Sequence, residues 1–438
     1  MKSKGLLTAS FLLLVLGGII WWSNKKAATA DKTPIEKTAT SLISIPVDQI
    51  QAIEIQKHGD ETIRLQRIDS KWQIAGAKPL RADPEAVSSL LSSLSSLSSD
   101  RTVEEKAASP DQYGLTQPAL ELTVTDNSNK TAKILIGDKT PAGTAVYGAI
   151  AGDPRVFAIS SYKTSNFDKS ANDLRDKRML PFDTDKLSRV ELQSKKQSIE
   201  FGRDKDRWQI LKPSPLRADQ SSVEELLRTL HDAKMDSSGN EDETKLNAAF
   251  RSAAVFVSAR VSDSSGTQEL EVRKSKDDYY AKSSVVEGVY KIASSVATGL
   301  DKSLDDFRNK KLFDFGYADP DKVEIRDGSK SYLLSRNSSD WFLNGAKLDP
   351  GTALSLVGQI RDLTATKFAG SGFTTPLVDI TVTSDNGKRS ERVLISQNGD
   401  HFFAKREGES PLYELAASTV TDLQKSATDL KPAAPAKK

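Results

Sequence analysis

The chain has 438 residues, with 62 lysines and arginines against 60 aspartates and glutamates, three histidines and no cysteine. A net charge of +2 supplies no general electrostatic pull toward nucleic acid or anionic lipid. The missing cysteines exclude disulfides, iron–sulfur clusters, thiolate zinc sites and a lipid-modified cysteine.

The first element is an uncharged run of 18 residues, Gly5 to Trp22, GLLTASFLLLVLGGIIWW, with Lys2 and Lys4 before it and Lys25 and Lys26 after it. Its length is near the lower limit for a membrane-spanning helix, and Trp21 and Trp22 stand where an aromatic belt anchors the end. A cleaved signal peptide is the rival reading. Its apolar region is normally about 7–15 residues, which favours an uncleaved anchor over 1–26. Residues 27–43 then form a linker lifting the rest off the membrane, and the body is expected outside the cytoplasm.

Next comes a unit written three times. Trp72 stands in DSKWQIAGAKPLRAD, Trp208 in DKDRWQILKPSPLRAD and Trp341 in SSDWFLNGAKLDP, at a spacing of about 135 residues. Solenoid repeats run roughly 20–50 residues, so this period is that of a whole domain. It divides the chain into modules 44–180, 181–313 and 314–430, with a flexible tail at 431–438. Short alternating runs such as IQAIEIQK and ETIRLQRI open the first module, and VELQSKKQSIEFGR and KVEIRDGSKSYLLSR open the others. The turns before each tryptophan place it in a short strand, as a core residue.

After each tryptophan, apolar residues recur at i, i+3, i+4 and i+7, the spacing of one helix face: Val87, Leu90, Leu91 and Leu94; Val223, Leu226, Leu227 and Leu230; Ala353, Leu356, Val357 and Ile360. Asp83, Asp219 and Asp349 precede these helices as N-caps, and Pro84 and Pro350 take the first helical position. Beyond the helix, YGLTQPALELTVTDNSNK matches GFTTPLVDITVTSDNGK, so Gly114 and Pro118 answer to Gly372 and Pro376. The second copy lacks this Gly-x-x-x-Pro element. Period-two alternation and turns at Asn127–Asn129 and Asp385–Gly387 predict antiparallel hairpins. Tyr147, Tyr280 and Phe403 align with one another, as do Phe157, Tyr290 and Tyr413, and all read as packing residues. The fold class is therefore α+β: three tandem modules, each an antiparallel sheet with one capped amphipathic helix and a short closing helix, behind the anchor.

Few patterns carry chemistry. His58, His231 and His401 fall in different modules at unmatched positions, which supports neither a histidine metal site nor a Ser-His-Asp triad. IGDKTPAG lacks the order of a phosphate loop and is flanked by strands. The acidic runs lack calcium-loop spacing. No catalytic, cofactor-binding or metal-binding residue is assigned. The most suggestive polar element is NDLRDKRMLPFD, echoed by DDFRNKKLFDF, so that Arg175, Lys177 and Arg178 answer to Arg308, Lys310 and Lys311. One reading is a basic strip contacting an anion or a partner. The other is a short helix whose cationic end favours the helix dipole at a module junction. In the third copy Gln424 aligns with the arginine.

The N-terminal anchor, the W-x-I…P-x-x-A-D helix start, Y-G-L-x-x-P and L-R-D-K-R-x-L together resemble the bacterial family called domain of unknown function 4340. The resemblance covers about 44–430 as repeated units and is best in the first. That family has no established catalytic residues. Its members are often encoded beside subunits of gliding-motility-type ABC transporters, so the resemblance implies an envelope accessory of such an exporter, with a transporter permease as partner. The expected function is a non-enzymatic, membrane-anchored interaction protein of the periplasm, with no cofactor and no nucleic-acid partner. Alternatives are a glycan or lipid binder using Tyr147 and Tyr280, and a hydrolase with an unrecognised carboxylate site.

Overall fold

The computed structural model describes residues 39–194, 197–236 and 242–433. The expected anchor, Gly5–Trp22, lies outside the described residues. No helix among the described residues is long and apolar enough to cross a membrane.

Three antiparallel sheets follow one another along the chain. The first contains β1 (Ile50–Lys57), β2 (Ile63–Ile68), β3 (Lys71–Ile74), β4 (Leu80–Arg81), β5 (Arg101–Glu104), β6 (Leu120–Asp126), β7 (Thr131–Lys139), β8 (Ala145–Ile150) and β9 (Val156–Ser160). Their order in space is β4-β3-β2-β1-β6-β7-β8-β9-β5. Helix α1 (Pro84–Ser95) stands between β4 and β5. The second sheet runs β13-β12-β11-β10-β14-β15-β16-β17, from β10 (Arg189–Ser194), β11 (Ser198–Asp204), β12 (Arg207–Lys212), β13 (Leu216–Arg217), β14 (Ala254–Asp263), β15 (Gly266–Ser275), β16 (Asp278–Ser283) and β17 (Val289–Ile292). Its helices are α2 (Gln220–His231), α3 (Glu243–Ser252) and α4 (Ser294–Leu300). The third sheet repeats the first as β21-β20-β19-β18-β23-β24-β25-β26-β22. It is built from β18 (Lys322–Asp327), β19 (Lys330–Asn337), β20 (Asp340–Leu343), β21 (Ala346–Lys347), β22 (Lys367–Ala369), β23 (Pro376–Ser384), β24 (Arg389–Asn398), β25 (His401–Arg406) and β26 (Leu412–Leu415), with α5 (Pro350–Arg361) and α6 (Ala417–Thr428).

The repetition extends to register. Ile53 faces Val124 across β1 and β6, Val190 faces Val261 across β10 and β14, and Val323 faces Val382 across β18 and β23. All six side chains are buried. The two-residue turns before the tryptophans carry left-handed residues: Asp69 and Ser70, then Lys205, then Ser338. These are the conformations that tight hairpins need. Asp385, Asn386 and Gly387 do the same between β23 and β24.

The three capped helices form as the apolar spacing predicts. Asp83 accepts hydrogen bonds from the Glu85 and Ala86 amides, Asp219 from Ser222 and Asp349 from Thr352. Each satisfies donors that the first helical turn leaves free. The predicted faces are buried against the sheets, except that Leu91 is half-buried. Trp208 and Trp341 are core residues, 5 % and 1 % exposed, whereas Trp72 is half-buried at the margin of the first core.

A second, smaller apolar cluster covers the far face of the first sheet, formed by Leu115, Ala149 and Val156 with Tyr113 and Tyr147. The Tyr113 and Tyr147 rings meet edge to face at 4.8 Å. Gly114, at φ +68°, turns the chain over Asp138 there, and Gly372 passes close above the Phe403 ring. The second module, which lacks the Gly-x-x-x-Pro element, uses α3 instead: Phe250 packs with Tyr280 and Val289. Module two therefore has a second capped helix that its sequence did not announce, with Asp242 accepting from the Thr244 amide. The closing helices also differ. The first is a single turn, Ser161–Thr164, while α6 has 12 residues, so "short" does not describe the third.

Gly137 shows how tightly the first cover is drawn. A methyl group there would lie 2.2 Å from the Tyr113 carbonyl oxygen and 3.0 Å from the Gly114 backbone. Gly137→Ala should therefore destabilise the first module by about 1–3 kcal/mol, the usual cost of overpacking. Urea unfolding of the full chain checks this, and a stability unchanged within about 0.5 kcal/mol would show that the turn yields freely.

The chain divides into two compact units after Asp176, and the second unit holds the second and third sheets. The repeat period places the first boundary at 180 and the second at 313. Packing moves both earlier, because Met179 and Leu180 belong to the second core and Leu312 and Phe313 to the third. The tail also starts later than expected. The Asp349 amide donates to the Lys431 carbonyl (2.9 Å) and the Ala433 amide to that of Lys347 (2.9 Å). Lys431 to Ala433 are thus tied to Lys347 and Asp349, where β21 leads into α5.

Candidate functional site

The basic strips lie in segments that close one module and open the next. Before the first junction, the Asp83 amide donates to the Leu174 carbonyl and the Asp176 amide to that of Arg81, both at 2.8 Å. Arg175 sits between them, opposite Ala82. Then the Met179 amide donates to the Ala233 carbonyl and the Met235 amide to that of Lys177, with Arg178 opposite Lys234. The Arg178 guanidinium lies 3.2 Å from His231 Nε2.

The second junction repeats the pattern. The Asp219 amide donates to Phe307, the Asn309 amide to Arg217, and Arg308 lies opposite Ala218. The Leu312 amide then donates to Leu363 and the Ala365 amide to Lys310, with Lys311 opposite Thr364. In the third module the position opposite Leu348 is Pro432. Pro432, then, is the counterpart of Arg175 and Arg308, and the alignment of Gln424 with them is corrected. Gln424 lies on α6 and donates to Asp327 Oδ1 at 2.9 Å. Both basic strips are thus backbone clamps first. Their cationic side chains are carried at positions fixed by main-chain pairing.

Within the second unit, the second strip also walls a cleft of about 650 Å³ between the second and third sheets. One side presents Arg207, Trp208, Leu216 and Arg217; the other presents Phe368, Glu409 and Tyr413. Arg308 spans them, its guanidinium 3.4 Å above the centre of the Phe368 ring, a close cation–π contact. Arg308 also pairs with Asp305 at 2.8 Å. Lys310 is half-buried and Lys311 exposed, and neither lines the cleft. The Lys311 carbonyl accepts from Arg217 Nη2 at 2.6 Å.

An alternating ladder of charge runs through the cleft wall and behind it. Arg207 meets Asp314 (2.8 Å), Arg389 meets Asp314 (3.6 Å) and Glu391 (3.3 Å), and Arg406 meets Glu391 (2.8 Å) and Glu409 (3.2 Å). Arg217 Nε closes it at 2.8 Å from Glu409 Oε1. That last contact is one of charge, since the N–H itself does not align on the carboxylate. Tyr413 donates to Glu409 Oε2 at 2.8 Å, and burial pushes its phenol above the ordinary range.

Two other carboxylates show how the remaining acids are held. Burial works to raise Asp219, but hydrogen bonds from Ser221 and Ser222 outweigh it and leave the carboxyl below its usual value. Asp379 is held low by Arg392. Among the described residues, no group of three or more potential metal-ligating side chains is assembled. Tyr280 and Phe403 are buried under their covering segments.

Arg207, Arg217, Phe368 and Glu409 were not singled out from sequence. One signal was available: Arg217 belongs to the repeated P-L-R-A-D, where Arg81 and Lys347 are its counterparts. Phe368 and Glu409 carry no such mark.

The architecture defines a class, an array of α+β sheet modules joined by backbone clamps. The chain belongs to the family described as Domain of unknown function (DUF4340), whose model matches residues 72–249 and 208–387. The matched ranges overlap, each starting at a repeat tryptophan. No curated protein matches the chain. Among solved structures, the DNA polymerase III subunit beta from Pseudomonas aeruginosa aligns at 8 % identity over 87 % of this chain and 93 % of its own, with a TM-score of 0.15. At that score the likeness carries no argument.

Proposed function

We propose that the chain is a non-enzymatic interaction protein of the bacterial cell envelope. In this reading Gly5–Trp22 anchors it in the inner membrane, the modules stand outside the cytoplasm, and it serves as accessory to an ABC-type exporter of the gliding-motility kind. One observation carries the reading: what recurs at equivalent positions is framework. The caps Asp83, Asp219 and Asp349 and the bridges Ala82–Arg175, Ala218–Arg308 and Leu348–Pro432 recur, while the three histidines fall at unmatched positions. A scaffold needs repeated surfaces held in register, whereas chemistry needs a repeated or singular cluster of reactive groups. The downward pKa shifts of Asp219 and Asp379 also fit structural pairing, since a general acid requires the opposite shift.

The test is mild crosslinking of the intact chain in membranes, followed by purification. An ABC permease subunit in the crosslinked product is the expected result. Recovery of the chain alone under several conditions would count against the partner. Protease added to spheroplasts should digest the body, and full protection would overturn its placement outside the cytoplasm.

A further inference from the structure

We propose that the cleft between the second and third sheets binds an extended, acidic peptide segment of a protein partner. The proposal rests on the reading of this chain as an interaction protein and names the chemistry that such a partner must offer.

Three observations converge. The first is size: about 650 Å³ lies within the roughly 300–1,000 Å³ of working ligand sites. The second is lining. Trp208, Phe368 and Tyr413 stand with Arg207, Arg217 and Arg308 around one opening, and tryptophan, tyrosine and arginine are the residue types that dominate binding hot spots. The two carboxylates in the wall are already paired with arginines. Asp314 is held by Arg207 and Arg389, and Glu409 by Arg217 and Arg406. Counting Arg207, Arg217, Arg308, Arg389 and Arg406 against Asp305, Asp314, Glu391 and Glu409 leaves one positive charge in excess. Arg207 is 64 % exposed and can turn toward an arriving carboxylate. The third observation selects a peptide over a small anion. One open sheet edge flanks the cleft: β22, which carries Phe368, ends the third sheet, whereas the outer edge of β13 is already paired with Phe307–Asn309. An extended chain can add to such an edge through its backbone while alternate side chains reach the guanidiniums.

The experiment uses the full chain and an end-blocked peptide of alternating glutamate and valine, titrated calorimetrically. The comparison ligands are the same peptide with lysine for glutamate, and inorganic phosphate. The acidic peptide should bind with an affinity that falls as salt rises, and the lysine peptide should not bind. Arg207→Gln combined with Arg308→Gln should weaken binding at least tenfold, while Arg64→Gln in the first module should leave it unchanged. Thermal melts establish that the variants remain folded, and Arg207→Gln alone, at an exposed position, gives a smaller loss if the pair does not fold. Absence of binding by the native chain, equal binding by the cleft variants, or competition by phosphate at equal concentration would each overturn the proposal. None of these results touches the membrane crosslinking outcome, so the two readings can fail separately.

Discussion

Glu391→Leu should lower the stability of the third module by about 3–5 kcal/mol, the range for removing one partner of a buried ion pair. Glu391 is 6 % exposed, and it holds Arg406, itself 11 % exposed, at 2.8 Å. It also accepts from the Asp314 amide at 3.1 Å. Without it, the Asp314 amide, Arg389 and Arg406 each lose an acceptor, and the Arg406 charge is balanced only by Glu409. The cost is that of an uncompensated charge, more than that of a lost attraction. Removing Arg406 as well, as in Glu391→Leu with Arg406→Met, should therefore recover part of the loss. Urea unfolding followed by tryptophan fluorescence measures both. A single variant within about 1 kcal/mol of the native chain would mean that water reaches the ladder and screens it.

The second large effect concerns the repeat tryptophans. Trp341→Ala should cost about 3–5 kcal/mol through cavity formation. Trp208→Ala should cost somewhat less and Trp72→Ala least, following their burial. Trp341→Phe should be far milder than Trp341→Ala, because the Trp341 indole N–H has no hydrogen-bond partner among the described residues. The substitution then loses volume without stranding an acceptor. Equal losses at all three positions would contradict the graded burial.

Much of each module was legible in the chain. The caps, the helix faces and the left-handed turn residues are local features, and local physics fixed them. The outer clusters were half-legible. Tyr147, Tyr280 and Phe403 aligned as packing residues, but what covers them depends on how the chain returns, and in the second module that is α3. The clamp at Lys431–Ala433 was hidden because a lysine-, alanine- and proline-rich end looks like a loose tail, and main-chain pairing leaves no side-chain signature. The Gln424 alignment failed for the same reason, since it matched letters where the repeated object is a pair of backbone hydrogen bonds. The cleft could not be read at all. Arg217, Arg308, Phe368 and Glu409 are brought together only by the packing of two sheets, and no spacing along the chain foretells it.

The second clamp has a mechanical consequence. Asn309 is bonded back to Arg217 and Lys310 is bonded forward to Ala365, so the hand-over from one sheet to the next takes a single peptide bond. No slack chain exists there to stretch. A pull along the polypeptide would meet these hydrogen bonds at once and load the folded sheets themselves. The second unit then lengthens in steps, one module at a time, and resists until a whole core gives way.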